Sequence, residues 1–339
     1  MIALLWWGAP TAVVMAEQPS SPEVGMDLVW PSPPLEARIR YLGSVATPDD
    51  IGRKKGFWTK LVEFIRGPEQ ENMRQPMAVA VDANGRISVA DPSEKQVHVY
   101  DQKKGDYEVI TDANVSLEYP LGLAVDNKNN LYVSDSDLKK IFVFSATGDF
   151  IKSVGSDAQL QRPTGIAIDL AREWLYVVDT PAHDIKVFDI NGGELLRVVG
   201  KRGKEKGEFN FPSYVTVDRA GNLYVTDTLN GRIQMFDHSG LLLGEFGKFG
   251  NGSGDFSTPK GVVVDSEGHI YVADAGFDNL QIFDPDGRLL LFFGEAGQAP
   301  GEFWVPTGLF MDQQDRLYVA DSYNNRIQIF QYLKVGAHE

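Results

Sequence analysis

Pro259-Lys260-Gly261-Val262-Val263-Val264-Asp265-Ser266-Glu267-Gly268-His269-Ile270-Tyr271-Val272-Ala273-Asp274 is the stretch that decides the fold. Gly261 to Asp265 is a short, almost wholly apolar run, the pattern of a strand buried on both faces. Ser266-Glu267-Gly268 reads as a hairpin turn, with glycine supplying a positive φ. His269 to Asp274 is a second strand and Leu280 to Phe283 a third. Asp284-Pro285-Asp286-Gly287 is another turn, followed by a fourth strand, Leu289 to Phe293. The same phrase occurs six times, with prolines at Pro76, Pro120, Pro163, Pro212, Pro259 and Pro306. Its second strands end at Asp91, Asp135, Asp179, Asp227, Asp274 and Asp321, spaced 44, 44, 48, 47 and 47 residues apart. One such unit cannot bury its own faces. The repeat therefore predicts an all-β, six-bladed β-propeller of four-stranded antiparallel blades.

The last unit lacks a fourth strand after Ile327-Gln328-Ile329-Phe330, and residues 37–45 precede the first unit without a partner. Ala37-Arg38-Ile39-Arg40-Tyr41-Leu42-Gly43-Ser44-Val45 is similar to Gly148–Gly155, the fourth strand of unit two. The N-terminal strand is expected to complete the sixth blade, which closes the ring and removes two open sheet edges. The propeller is bounded at 37–332, with a tail at 333–339. Residues 46–75 break the repeat. Within them Phe57, Trp58, Leu61, Val62 and Ile65 share one helical face ahead of Gly67-Pro68, which predicts a short helical insert. Packing over blades six and one is favoured for it, and a lid beside the channel mouth is the alternative.

The 339 residues carry a formal charge of -15 and no cysteine. An acidic surface opposes sequence-independent attraction to nucleic acid and anionic lipid. The absence of cysteine removes disulfides, thiolate catalysis and Cys-ligated metals. Residues 1–16 have no charged side chain, and Val14-Met15-Ala16 places small residues where a signal peptidase reads. A signal peptide over 1–16 is expected, with a periplasmic or extracellular mature protein. The missing basic n-region leaves an uncleaved inner-membrane anchor as the alternative. Residues 17–36 hold Pro19, Pro22, Pro31, Pro33 and Pro34 and read as a Pro-rich linker. No other segment is long and apolar enough to span a membrane. A monomer is the default expectation.

The units resemble NHL repeats. The resemblance rests on Asp321-Ser322-Tyr323-Asn324-Asn325-Arg326-Ile327-Gln328-Ile329-Phe330 and Asp227-Thr228-Leu229-Asn230-Gly231-Arg232-Ile233-Gln234-Met235-Phe236. It is reinforced by Gly200-x-x-Gly203-x-x-x-Gly207-x-Phe209-x-x-Pro212, repeated from Gly247 and Gly294. It covers about residues 37–330, and Gln96, Lys140 and Asp184 stand where the motif has Arg. Tyr-Val-x-Asp is also similar to the Tyr-Trp-Thr-Asp propellers of lipoprotein-receptor ectodomains, but Asn-x-Arg-Ile-Gln favours the NHL family. The overall layout resembles exported bacterial NHL-repeat proteins of unassigned activity. The resemblance implies fold and transfers no catalytic site.

The candidate sites follow from where blades differ. The residues after the prolines, Met77, Leu121, Thr164, Ser213, Lys260 and Thr307, line the upper mouth of the channel and offer no convergent metal ligands. The histidines, His98, His183, His238, His269 and His338, fall on separate elements, so no metal and no cofactor are expected. The six second-strand aspartates are read as structural, accepting amide hydrogen bonds from the following turn and pairing with motif arginines. The glycine-rich crossings lack the Lys-Ser/Thr and helix start of a phosphate loop. Tyr119, Arg162, His183, Phe211, Tyr214, Lys260, Phe277 and Trp304 gather on the top face, with Phe211, and less firmly Trp304, expected to turn inward. Aromatic residues and Arg are what contact surfaces concentrate. The function expected is a non-enzymatic exported scaffold for a protein, peptide or cell-envelope ligand. A lyase or hydrolase using the central channel is the alternative, and RNA binding, as in some NHL propellers, is disfavoured by the charge.

Overall fold

The computed structural model describes residues 28–52, 72–110, 115–156 and 158–334. They form six antiparallel sheets arranged as the blades of a closed propeller. The inner strands are Ala78–Val81, Pro120–Val125, Pro163–Asp169, Tyr214–Val217, Pro259–Val264 and Pro306–Met311. The expected closure is present. Ile39–Val45 pairs with Arg326–Tyr332 in register Ile39↔Tyr332 to Val45↔Ile327. That sheet has a further strand: Val29–Trp30 pairs with Arg40 and Ile39, and the Trp30 ring packs 5.2 Å from Phe293 and 5.9 Å from Phe330. The last part of the Pro-rich segment is thus docked on the propeller. The leader at 1–16 and the helix expected at 57–66 lie outside the described residues. Within 46–75, Pro48–Ile51 forms a 3-10 turn whose Ile51 joins the core between blades 6 and 1, as does Met73.

The core is not central. It consists of six apolar clusters, each shared by two neighbouring blades, such as Tyr318, Ala320 and Ile327 of blade 6 with Val79, Ile87 and Tyr100 of blade 1. Every blade therefore buries both faces, which explains the near-continuous apolar inner strands. The glycine two residues after the proline keeps the inner strands close. A Cβ at Gly165 would lie 2.7 Å from the Ser213 carbonyl oxygen and 2.8 Å from the Tyr214 Cα. The crossings between blades are filled by aromatics, with Phe209, Phe256 and Phe303 fully buried. Gly200 is a glycine because a Cβ there would sit 2.3 Å from the Phe209 ring.

All six repeat aspartates are fully buried. Their most constant donors are not in the following turn but in the segment just before the repeat proline. Asp91 takes the Arg74 and Gln75 amides, Asp135 those of Glu118 and Tyr119, Asp179 those of Gln161 and Arg162, and Asp274 those of Ser257 and Thr258. Asp227 and Asp321 take one each, from Asn210 and Trp304. The following turn contributes backbone amides in blades 1, 2 and 5, through Ser93 and Glu94, Asp137 and Leu138, and Gly276, and the Asn230 and Asn324 side chains in blades 4 and 6. Motif arginines pair within their own blade: Arg232 reaches Asp227 at 2.9 Å and Arg326 reaches Asp321 at 2.8 Å. Each also grips the incoming crossing. Arg326 donates to the carbonyls of Gln298, Ala299 and Glu302, while Asn324 and Gln328 donate both to that loop and to Asp321.

Removing the Asp321 carboxylate strands a largely buried guanidinium and three amide donors. Asp321→Ala is expected to lower the unfolding free energy by about 3–5 kcal/mol. Asp284→Ala, in a solvent-facing turn where the carboxylate serves the Asp286 and Arg288 amides, should lower it by about 1 kcal/mol. Urea denaturation of both variants checks this, and equal losses would refute the staple role.

Candidate binding site at the channel mouth

The mouth is built from the residue after each proline and the residue after each repeat aspartate. In three blades both carry hydroxyls that bond to one another: Thr164 with Thr180 at 2.8 Å, Ser213 with Thr228 at 2.5 Å, and Thr307 with Ser322 at 2.7 Å. Thr180 and Ser322 also donate to the proline carbonyl of the next blade, at Pro212 and Pro76. In blades 3 and 6 these hydroxyls are therefore spent on joining blades.

Tyr214 occupies the place that glycine holds in blades 2, 3, 5 and 6. Its hydroxyl donates to the Met77 carbonyl at 3.3 Å. Blades 1 and 4 face one another across a six-bladed ring, so this phenol spans the channel near its proline end. Burial pushes its pKa far above the ordinary tyrosine value, eased a little by the Thr307 hydroxyl. Lys260, on the neighbouring inner strand, is half-buried, and burial lowers its pKa against the opposing pull of Asp274.

The other candidates form separate pairs. The Arg162 guanidinium lies 5.7 Å from the Tyr119 ring centre and 4.0 Å from Asp137. His183 is buried with φ 59°, and its Nδ1 accepts the Phe211 amide at 3.1 Å, so the neutral ring carries its proton on Nε2. It is an inter-blade cap, matched by Asp278 accepting the Val305 amide at 2.7 Å. Phe211 does not turn inward. It is exposed and edge-on to His183 at 4.4 Å, because the crossing is already filled by Phe209. Phe277 is half-buried in the turn after Asp274. Trp304 is 49% exposed and 5.6 Å from Tyr323, itself 51% exposed. Among the described residues no hydrogen bond or ring contact joins one pair to another. Sequence reasoning missed Tyr323, although it stands two residues after Asp321 where Leu229, also exposed, follows Asp227.

The four described histidines serve other ends. His98 bonds Tyr107 at 2.8 Å and faces Asp91 at 3.7 Å, His183 caps Phe211, His238 is exposed, and His269 meets Asp265 at 2.9 Å. Among the described residues no three His, Cys, Asp or Glu side chains converge as a metal site.

A family model described as the NHL repeat matches residues 303–330. That match falls on one repeat of the six-bladed propeller, the inner three strands of blade 6. A second model, described as the SMP-30/Gluconolactonase/LRE-like region, matches residues 215–292. NHL repeat-containing protein 2 of Gallus gallus is 32% identical over 138 residues, covering 38% of this chain and 18% of that protein. The chain thus matches less than a fifth of that relative's length. Among solved structures, an auxiliary nutrient binding protein from Bacteroides ovatus aligns with TM-score 0.60 at 15% identity, over 77% of this chain and 70% of the other. A gluconolactonase from Xanthomonas campestris aligns with TM-score 0.58 at 20% identity, over 77% of this chain and 88% of the other. At these identities the likeness is one of fold.

The NHL motif explains how blade 1 departs from blades 4 and 6. Where Gln234 and Gln328 donate to their aspartates seven residues upstream, blade 1 has His98. Burial opposes ionisation of Asp91, but the facing His98 ring and bonds from the Arg74 amide, Ser93 and the Gln75 amide outweigh it and hold the carboxyl well below the usual range. A depressed carboxyl adds stability above its unfolded pKa of about 4, and the gain is lost as pH falls toward the folded value. The stability difference between wild type and Asp91→Asn is expected to be constant above about pH 5 and to shrink steadily below about pH 4. Urea melts across that range test it, and a difference that persists unchanged at low pH would contradict the assignment.

Proposed function

We propose that this chain is a non-enzymatic, exported propeller that holds a protein, peptide or cell-envelope ligand on its proline-end face. The observation that carries the reading is the Trp304–Tyr323 pair, two half-exposed rings beside a motif whose polar groups are consumed by internal bonds. Large rigid aromatics held at the surface are typical anchors of binding faces. Arg162 over Tyr119 supplies a second anchor of the same kind. The fold likeness to a nutrient-binding protein is in keeping with a binding role.

The SMP-30/Gluconolactonase match over 215–292 favours a second reading, a hydrolase or lyase working in the central channel. Against it stand the absence of converging ligands among the described residues and the Tyr214 phenol across the channel. Elemental analysis of the purified protein separates the two, since a stoichiometric divalent ion would favour the enzyme.

Wild-type protein is expected to capture a partner from periplasmic extract that an Arg162→Ala/Trp304→Ala double variant of unchanged melting temperature does not. Recovery of identical proteins by both would reject the proposed face. Export is part of the proposal and rests on the pattern of residues 1–16. The intact mass of protein recovered from the periplasm is expected to match a chain beginning at Glu17, and a mass retaining residues 1–16 would point to an anchor instead.

A further inference from the structure

Blade 5 replaces the hydroxyl pair of blades 3, 4 and 6 with a cation and a methyl group. The place held by Thr164, Ser213 and Thr307 is taken by Lys260, and the place held by Thr180, Thr228 and Ser322 is taken by Ala275. Among the described residues the Lys260 ammonium forms no ion pair and no hydrogen bond. Asp274 is the carboxylate that acts on it, but its oxygens are committed to the Ser257, Thr258 and Gly276 amides. An ammonium has three donors and no acceptor, and holding it partly out of water without a partner is unfavourable. Nothing in the fold requires it there, because a threonine fills the same place in two other blades. One residue deeper along the neighbouring inner strand, Tyr214 reaches across the channel to the Met77 carbonyl. The mouth therefore sets one cation among hydroxyl and apolar side chains, with a phenol reaching across it.

We propose that Lys260 is the receptor for a carboxylate that enters the channel mouth from the proline end. This inference rests on the reading of that face as a binding face. One ammonium balances one negative charge. Of the six residues that follow the repeat prolines, Lys260 is the sole cation. The chain's charge of -15 penalises a multiply charged anion. A carboxylate therefore fits better than a phosphate dianion. It can come from a peptide C-terminus or from a free small acid.

The test follows the Lys260 side-chain resonance in lysine-labelled protein, assigned by its loss in Lys260→Met. The probes are sodium acetate, acetyl-triglycine with a free carboxylate, and acetyl-triglycine amide, all at constant ionic strength set with chloride. Acetate and the free-acid peptide are expected to move this resonance saturably, and the amide is not. Isothermal titration should show binding kept within about tenfold in Lys260→Arg and lost in Lys260→Met. The melting temperature of Lys260→Met should not fall, since the ammonium pairs with nothing. A peptide about tenfold tighter than acetate assigns the carboxylate to a chain terminus, and equal affinities assign it to a small acid. An equal response to the amide, a shift that never saturates, or unaltered binding by Lys260→Met would overturn the proposal. Partner capture that needs Arg162 and Trp304 but survives Lys260→Met would sink the carboxylate receptor and leave the binding face standing. Carboxylate binding without partner capture would do the reverse.

Discussion

A buried carboxylate at the end of each second strand is the constraint on which the propeller depends. Six such groups sit out of water, which is unfavourable unless each is matched by donors. The matching donors are amides from the chain entering the blade, so each aspartate fixes where the inner strand of its own blade begins. The proline that follows has no N–H and adds no further donor to be satisfied. Proline and aspartate are therefore two halves of one device. The first ends the run of amides that the second collects.

The variation around this device is ordered. In blades 4 and 6 a guanidinium five residues after the aspartate and an amide seven residues after it complete the shell and hold the crossing from the preceding blade. Blade 3 has Asp184 in place of the arginine, and the cation moves two residues on: Lys186 reaches Asp179 at 2.9 Å and Asp184 at 2.6 Å. Blade 1 has the His98 ring in the same place, its Nε2 3.7 Å from Asp91. The motif that names the family is thus one of several solutions to a single electrostatic problem, which is why weakly matching units still form regular blades.

Much of this was legible in the sequence because it repeats. Period, blade count, closing strand and the structural standing of the aspartates all follow from six aligned copies. The source of their donors was not legible, since the amides lie 16 to 18 residues before each aspartate and an amide has no side-chain identity to read. His183 looked like a surface ligand because nothing local shows that Nδ1 is spent on the Phe211 amide of the next blade. Phe211 and Phe209 are two residues apart and chemically alike. Which of them fills the crossing is set by the positive φ of 50° at Phe211, a backbone property that composition does not reveal.

Tyr214 is the clearest case of information that exists only in the closed ring. As a sequence feature it is a lost glycine in one repeat. In the ring, blade 4 stands opposite blade 1, so a single substitution places a phenol against the Met77 carbonyl. The same closure sets the environment of Lys260 beside it, a cation where the other blades offer hydroxyl or apolar side chains. Departures from the repeat can accumulate at the mouth without disturbing the aspartate staples, because the two sets of residues use different atoms. The staples work through carboxylates and amides between strands, whereas the mouth is varied through side chains that face the axis. A fold held together in this way can change what it binds while leaving what holds it unchanged.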